Sequence, residues 1–514
     1  MRNRVYIICC LCLLSVFQLS AQSEKPNILL ITLDDMNWDS PSVYGGIIPD
    51  LTPHIDALAK EGVLFQNAYV QAPNCSPSRV VIQTGLYPHQ TGMRGFFYVK
   101  DNFNTLPEIL KENGYFTGVL NKPADTSISP DFDDYWDERT SIKGAKKRSA
   151  VMYSDLLQGF LNKVDKRGKP FYCVVNVADP HKPFFNDPTS VKKGFDEFKP
   201  SKLYTKKDVK IPEYLPKNPR IKKDVLNYYN SVKRGDDCIG EIIQTLKKSK
   251  RSKNTIVILL SDHGAPFPFA KSSVYQNGVK TPLIVSYPPK FSPTVEDKSM
   301  VSSVDIAPTI LEMTGNSIPK EMVGTSFYSV LTQKKEQVGN YVFAQFDENA
   351  GGIPRPSRTV ISKKYGYIFN PWATGSFVFK SASSSHASYK AMAKMSTVNE
   401  DVKKRFDYWK YRTVEELYDY ENDPHALNNL IDDPKYEEVV VELRKQLHQH
   451  MKATNDYVLV AFENKDNTAF LDSWMKKEIK QANKRQRTIK WKRGKNQQGG
   501  TKKNTELYDN STQK

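Results

Sequence analysis

Four continuous apolar runs constrain this chain more than anything else in it: residues 27–33, 171–177, 255–260 and 282–285. Each has strand length and none alternates with polar residues, so each predicts a strand buried on both faces. Such strands belong to a mostly parallel sheet with helices on both sides, and the stretches 106–113 and 224–248 read as helices able to cover it. The expected fold class is therefore α/β, a sandwich around a mostly parallel central sheet. Residues 192–223, rich in Lys and Pro, read as a long surface excursion. The 514 residues suffice for two to three domains, or one large α/β unit with a smaller companion. With 39% hydrophobic and 25% charged residues, collagen, coiled coil and multi-span transporter are excluded.

The residues just beyond these strands carry chemistry. The first run ends in Asp34-Asp35, the second leads to Asp179-Pro180-His181, and the third to Ser261-Asp262-His263-Gly264. Ligands of open α/β sheets sit beyond the carboxyl ends of the strands. Any one of these acids alone would read as a turn cap. Together, Asp34, Asp35 and Asp262 offer a hard divalent cation such as Ca²⁺ or Mg²⁺ several oxygen ligands. Cys75 stands at a helix start, in Pro73-Asn74-Cys75-Ser76-Pro77-Ser78-Arg79, where backbone amides favour an anion and Arg79 adds a fixed positive charge one turn along. Without that setting it would read as a small buried hydrophobe or half of a disulfide.

The two ends differ from the body. Arg2 and Arg4, an apolar run to Phe17 and Leu19-Ser20-Ala21 follow the order of a secretory signal over residues 1–21, too short to span a membrane comfortably. The expected location is outside the cytosol, periplasmic or secreted, with no stable membrane span. Three cysteines then remain, Cys75, Cys173 and Cys238, and an odd number in an oxidising compartment makes at least one of them special. Of the formal net charge of +17, about +11 lies between Lys476 and Lys503, where twelve Lys or Arg face one acid. Residues 471–514 accordingly read as a basic, disordered tail with some helical start. Aromatic interleaving is sparse there, so nucleic acid is not an expected partner.

Cys75-Ser76-Pro77-Ser78-Arg79, with Thr84-Gly85, Tyr87-Pro88-His89 and Thr91-Gly92, resembles the signature of the formylglycine-dependent sulfatases. The resemblance extends through Asp34-Asp35, residues 52–56, Ser261–Gly264 and the distal run from Glu416 to Pro424 with Asn429-Leu430. It implies a large domain of the alkaline phosphatase type over 22–335 and a smaller α+β subdomain with a short antiparallel sheet over 336–470. It also implies that a separate formylglycine-generating enzyme oxidises Cys75 to formylglycine, whose hydrate attacks sulfur with one hydroxyl and expels sulfate with the other. By the same resemblance Asp34, Asp35, Asp262 and His263 would hold Ca²⁺. Arg79 and Lys122 would position the hydrate and the sulfate. His181 and Lys271 would contact the bridging oxygen and protonate the leaving group. Where many relatives carry His two residues after the lysine, this chain has Ala124.

Within the family, Ala265–Pro268 and the run from Glu416 through Pro434 are most similar to the heparan N-sulfatase (sulfamidase) branch, but Lys271 stands where that branch carries Arg. A strong acid for an oxygen leaving group implies a sulfate ester, so O-sulfated oligo- or polysaccharide, algal or glycosaminoglycan, is the expected substrate. Arg355, Arg358 and Trp372, with Lys380, are candidate contacts to a saccharide carboxylate or sugar face. The alternatives are an N-sulfoglucosamine sulfohydrolase, a phosphonate or phosphodiester hydrolase, and a non-catalytic polyanion-binding protein.

Overall fold

The computed structural model describes residues 25–99, 103–129 and 136–488. The expected signal and the stretch 489–514 of the tail lie outside the described residues. In chain order the strands are β1 (Asn27–Asp34), β2 (Val63–Phe65), β3 (Ala68–Tyr69), β4 (Phe116–Leu120), β5 (Glu138–Thr140), β6 (Phe171–Pro180), β7 (Thr255–Ser261), β8 (Leu283–Ser286), β9 (Thr294–Glu296), β10 (Val301–Ser302), β11 (Val342–Glu348), β12 (Pro354–Ile361), β13 (Tyr365–Phe369) and β14 (Glu415–Asp419).

Eight of them form one sheet in the order β5-β4-β6-β1-β7-β8-β2-β9. From β5 to β7 the neighbours run parallel; β8 is antiparallel to both β7 and β2. The four apolar runs are β1, β6, β7 and β8, and the first is central, pairing Ile28 with Tyr172 on one side and Ile256 on the other. Because successive side chains of a strand point to opposite faces, β1 feeds two cores. Leu29, Ile31 and Leu33 meet Tyr153, Leu157 and Leu161 of the helix Ala150–Arg167 and Val225, Val232 and Ile239 of the helix Pro219–Lys248. Ile28 and Leu30 meet Val80 and Ile82 of the helix Cys75–Thr84 and Ile306 and Ile310 of the helix Ile306–Met313.

The helix expected from 224 starts at Pro219, because proline fits the first helical turn and the Asn218 side chain accepts from the Arg220 amide. The excursion before it is not wholly surface: Tyr204, Tyr214 and Leu215 reach the core.

A second sheet, β11-β12-β13-β14, is antiparallel throughout. Its Phe346, Val360, Tyr367 and Leu417 belong to the same continuous core as Leu29 and Ile31, together with Leu443, Leu447 and Met451 of the helix Glu437–Ala453. Where the sequence predicts some helical start in a basic tail, a helix runs over Thr468–Thr488 and buries Leu471, Trp474, Met475 and Ala482. Arg485 near its end pairs with Glu348 of β11. Among the described residues no helix is long and apolar enough to cross a membrane.

Candidate active site

The carboxyl ends of β1, β6 and β7 converge where the helix Cys75–Thr84 begins. Asp34 closes β1, and Asp35 turns away from it with φ of 72°. Asp262 follows β7 and accepts from the Asp35 amide at 3.0 Å, stitching the two strand ends together. Cys75, only 4% exposed, has its Sγ 3.5 Å from Asp34 Oδ1, 3.3 Å from His263 Nε2 and 3.6 Å from Lys271 Nζ.

Arg79 is immobilised from three directions. It donates to Thr32 of β1, to Asn176 of β6 and, at 2.9 Å, to Asp262 Oδ2. Lys122 follows β4 through two residues with positive φ, Asn121 and Lys122 itself, and pairs with Asp34 Oδ2. Lys271 donates to Asp35 Oδ1 at 2.6 Å. His181 sits at the mouth, half-exposed, with Nε2 4.0 Å from Asp35 Oδ2. The structure thus brings Asp34, Asp35, Cys75, Arg79, Lys122, His181, Asp262, His263 and Lys271 into one cleft. The position left by Ala124 has a neighbour in Asp125, which accepts from Ser76 Oγ beside Cys75 and lies 3.8 Å from Lys122.

The charges are mutually enforced. Burial alone would raise both carboxyls, but Lys122 holds Asp34 well below the usual carboxylate range and Lys271 does the same, less strongly, for Asp35. Burial would likewise lower both lysines, and the same carboxylates hold them above the ordinary lysine range. The Cys75 thiol is pushed up by burial, with Asp34 and Asp262 adding to the effect and Lys271 opposing it, so it is a neutral thiol.

The lone pairs point to a cation. His263 Nδ1 donates to the Gly264 carbonyl at 3.0 Å, which leaves the lone pair of the neutral ring on Nε2, 3.3 Å from Asp35 Oδ1 and 3.7 Å from Asp262 Oδ1. Asp35 Oδ2 is buried without a hydrogen-bond partner. Ligand atoms of Asp34, Cys75, Asp262 and His263, and of Asp34, Asp35, Cys75 and His181, lie within 4.8 Å of one another. Arg79, Lys122 and Lys271 already offset part of this negative charge, and the oxygen-rich set suits a hard divalent cation.

The sulfatase family profile matches residues 26–316, more than half of the chain. The chain belongs to the sulfatase family. A second profile, N-sulphoglucosamine sulphohydrolase, C-terminal, matches residues 263–371 and 384–453. An ulvan-active sulfatase of Formosa agariphila is 28% identical, aligned over 84% of this chain and 76% of that one. Human N-sulphoglucosamine sulphohydrolase is 29% identical, over 87% and 94%. A structure solved in complex with its substrate D-glucosamine-2-N,6-O-disulfate superposes with a TM-score of 0.63 at 19% identity, covering 84% of this chain and 99% of that one. The expected fold and enzyme class are borne out, and the family implies both the formylglycine and the metal.

Three candidates lie elsewhere. Arg358 is buried, bonded to Asp456 and 3.0 Å from Asp347, so its charge is spent inside the fold. Arg355 donates to the carbonyls of Val378 and Pro354. Trp372 is 0% exposed, bonded to Ser357 and stacked on Phe379. As sugar contacts Arg358 and Trp372 are corrected, because neither offers a free polar edge or ring face to solvent, whereas Arg355 is 8% exposed. Lys380 is exposed, and its carbonyl accepts from Asn349.

Sequence reasoning missed four supporting residues. Thr32 and Asn176 anchor Arg79, and their signal was a polar residue inside an otherwise apolar strand. Arg148 and Arg234 both bind the buried Asp179, at 2.6 and 2.7 Å, and Arg148 also donates to the His181 carbonyl at 2.7 Å. No motif marks those two.

Proposed function

We propose that the protein is an exported sulfatase that hydrolyses sulfate esters of sulfated polysaccharide fragments, algal or glycosaminoglycan. The polysaccharide reading is supported by the ulvan-active relative of Formosa agariphila and by an endo-4-O-sulfatase relative of Bacteroides thetaiotaomicron. The ester reading is carried by one observation: the Lys271 ammonium lies 3.6 Å from Cys75 Sγ, buried and charged, within reach of a leaving oxygen.

Oxidised to formylglycine, residue 75 would carry a hydrate offering one hydroxyl to attack sulfur and a second whose loss of a proton would break the C–O bond to sulfate and restore the aldehyde. Ca²⁺ held by Asp34, Asp35, Asp262 and His263 supplies Lewis acidity toward the sulfate. Arg79, which Thr32, Asn176 and Asp262 allow no other place, and Lys122 bind the sulfate oxygens and orient sulfur toward residue 75. Burial of this cleft strengthens each of these contacts. As the S–O bond to the sugar breaks, its electron pair stays on the sugar oxygen, and Lys271 passes a proton to that oxygen. His181, at the mouth, is placed to hydrogen-bond the same oxygen.

A sulfamate substrate is the second reading, favoured by the C-terminal profile and by the human relative. Sulfate release by matured protein, with Cys75→Ala as control, separates the two. Release from O-sulfated oligosaccharides and not from N-sulfoglucosamine supports the ester, and the reverse supports the sulfamate. Release from neither, with formylglycine confirmed by mass at position 75, overturns both in favour of a phosphorus ester.

A further inference from the structure

Lys271 lies on a loop with a strained backbone. Phe269 and Ser272, on either side of it, have φ of 64° and 67°, a region that side-chain-bearing residues avoid. Ser272 donates its amide to the Pro73 carbonyl at 2.8 Å, which ties the loop to the segment before Cys75. Within the loop the Lys271 amide donates to the Ala265 carbonyl at 3.0 Å and the Ser273 amide to the Ala270 carbonyl at 3.0 Å, and further restraints come from the second sheet and its neighbours. Tyr275, 1% exposed, donates to Glu416 Oε2 at 2.7 Å. Glu416, fully buried, also accepts from Tyr408 and Tyr418 on that oxygen and from Asn370 on the other. The Arg412 guanidinium lies 4.6 Å from the centre of the Tyr275 ring, and the Arg405 guanidinium 3.8 Å from that of Phe269. The Gln276 amide donates to Tyr420 at 3.2 Å, whose ring rests against Gly366 where a Cβ would come within 2.1 Å.

Arg412 is the costly part of this arrangement. It is 6% exposed, its Nε and both Nη have no hydrogen-bond partner, and its backbone sits at φ 49°, ψ −163°. A desolvated guanidinium without hydrogen bonds in a strained backbone costs stability, and strain of this kind collects at functional positions. Here it faces the rings of Tyr275, Phe379 and Trp372.

We infer that Arg412 and Glu416 are positioning residues that fix the Lys271 ammonium against residue 75 by gripping Tyr275. The inference rests on the reading of Lys271 as the acid for the leaving oxygen. It also gives a task to the run that begins at Glu416: residues 416, 418 and 420 share one face of β14 and its extension, and all three meet this loop or the carboxylate that holds it.

The test uses the matured, metal-loaded full chain and compares a sugar sulfate ester with 4-nitrophenyl sulfate, whose leaving group needs little protonation. Lys271→Ala serves as the reference, with a loss in kcat of about 100-fold or more on the sugar ester and far less on the aryl ester. Tyr275→Phe and Glu416→Gln are expected to lose about tenfold in kcat on the sugar ester and less than about twofold on the aryl ester, with KM unchanged. Arg412→Lys, which keeps the charge, is expected to retain more activity on the sugar ester than Arg412→Met. Equal losses on both esters in Tyr275→Phe and Glu416→Gln, while Lys271→Ala still discriminates, overturn the positioning role alone. A Lys271→Ala variant that does not discriminate overturns the acid reading and the inference with it.

Discussion

Cys75 is a residue whose surroundings oppose its unmodified chemistry. Burial and two nearby carboxylates keep the thiol protonated, and a protonated thiol is a poor nucleophile. Unconverted protein is therefore expected to release no sulfate, and a disulfide reagent at pH 8 should label none of Cys75, Cys173 and Cys238 until the chain is unfolded, since all three are buried. Rapid native labelling of Cys75 would contradict the environment described. Asp179 makes a second prediction. It is buried between Arg148 and Arg234, and removing one partner of such a pair costs about 3–5 kcal/mol. Arg148→Met is expected to lower the urea midpoint accordingly and to slow turnover, because Arg148 also holds the His181 backbone. Asp34, Asp35, His181, Asp262 and His263 were legible because each follows an apolar strand, Cys75 and Arg79 because they sit in a motif of fixed spacing, and Lys122 and Lys271 only through the family resemblance. Arg358 was not, because its partner Asp456 is 98 positions away and nothing local announces it.

At the scale of elements, the helix Thr468–Thr488 shows how composition can mislead. Its run of lysines and arginines reads as a solvated tail, yet Leu471, Trp474, Met475 and Ala482 recur at helical spacing and face the fold. Periodicity outweighs charge here because exposed lysines cost little on the outer face, whereas buried Trp474 and Met475 contribute throughout. Trp474→Ala is expected to cost about 3 kcal/mol, read from the denaturant midpoint. Deleting residues 489–514 is expected to leave that midpoint unchanged, while a deletion from 468 removes it as a cooperative transition or lowers it sharply. The long helix before β7 was plain in the sequence for the same reason, and the four runs of the central sheet because each is continuously apolar over a strand's length. The grip of β14 on the Lys271 loop was not, because it joins segments more than 140 positions apart.

For the whole molecule, a bound cation would compete with the lysines for the same carboxylates. Without a cation, Lys122 and Lys271 neutralise Asp34 and Asp35, so chelation is expected to abolish turnover while the protein remains folded. Adding Ca²⁺ at about 100 times its dissociation constant should raise the unfolding free energy by about 2.7 kcal/mol, visible as a rise in Tm. No shift with Ca²⁺ or Mg²⁺ would count against a site at Asp35 and Asp262. The two sheets, finally, share one core: Leu29 and Ile31 of β1 lie in the same apolar body as Phe346, Tyr367 and Leu417. There is no seam along which one could be lifted from the other. A graft at that boundary would leave apolar walls facing water, so new specificities have to be written in the loops between the strands.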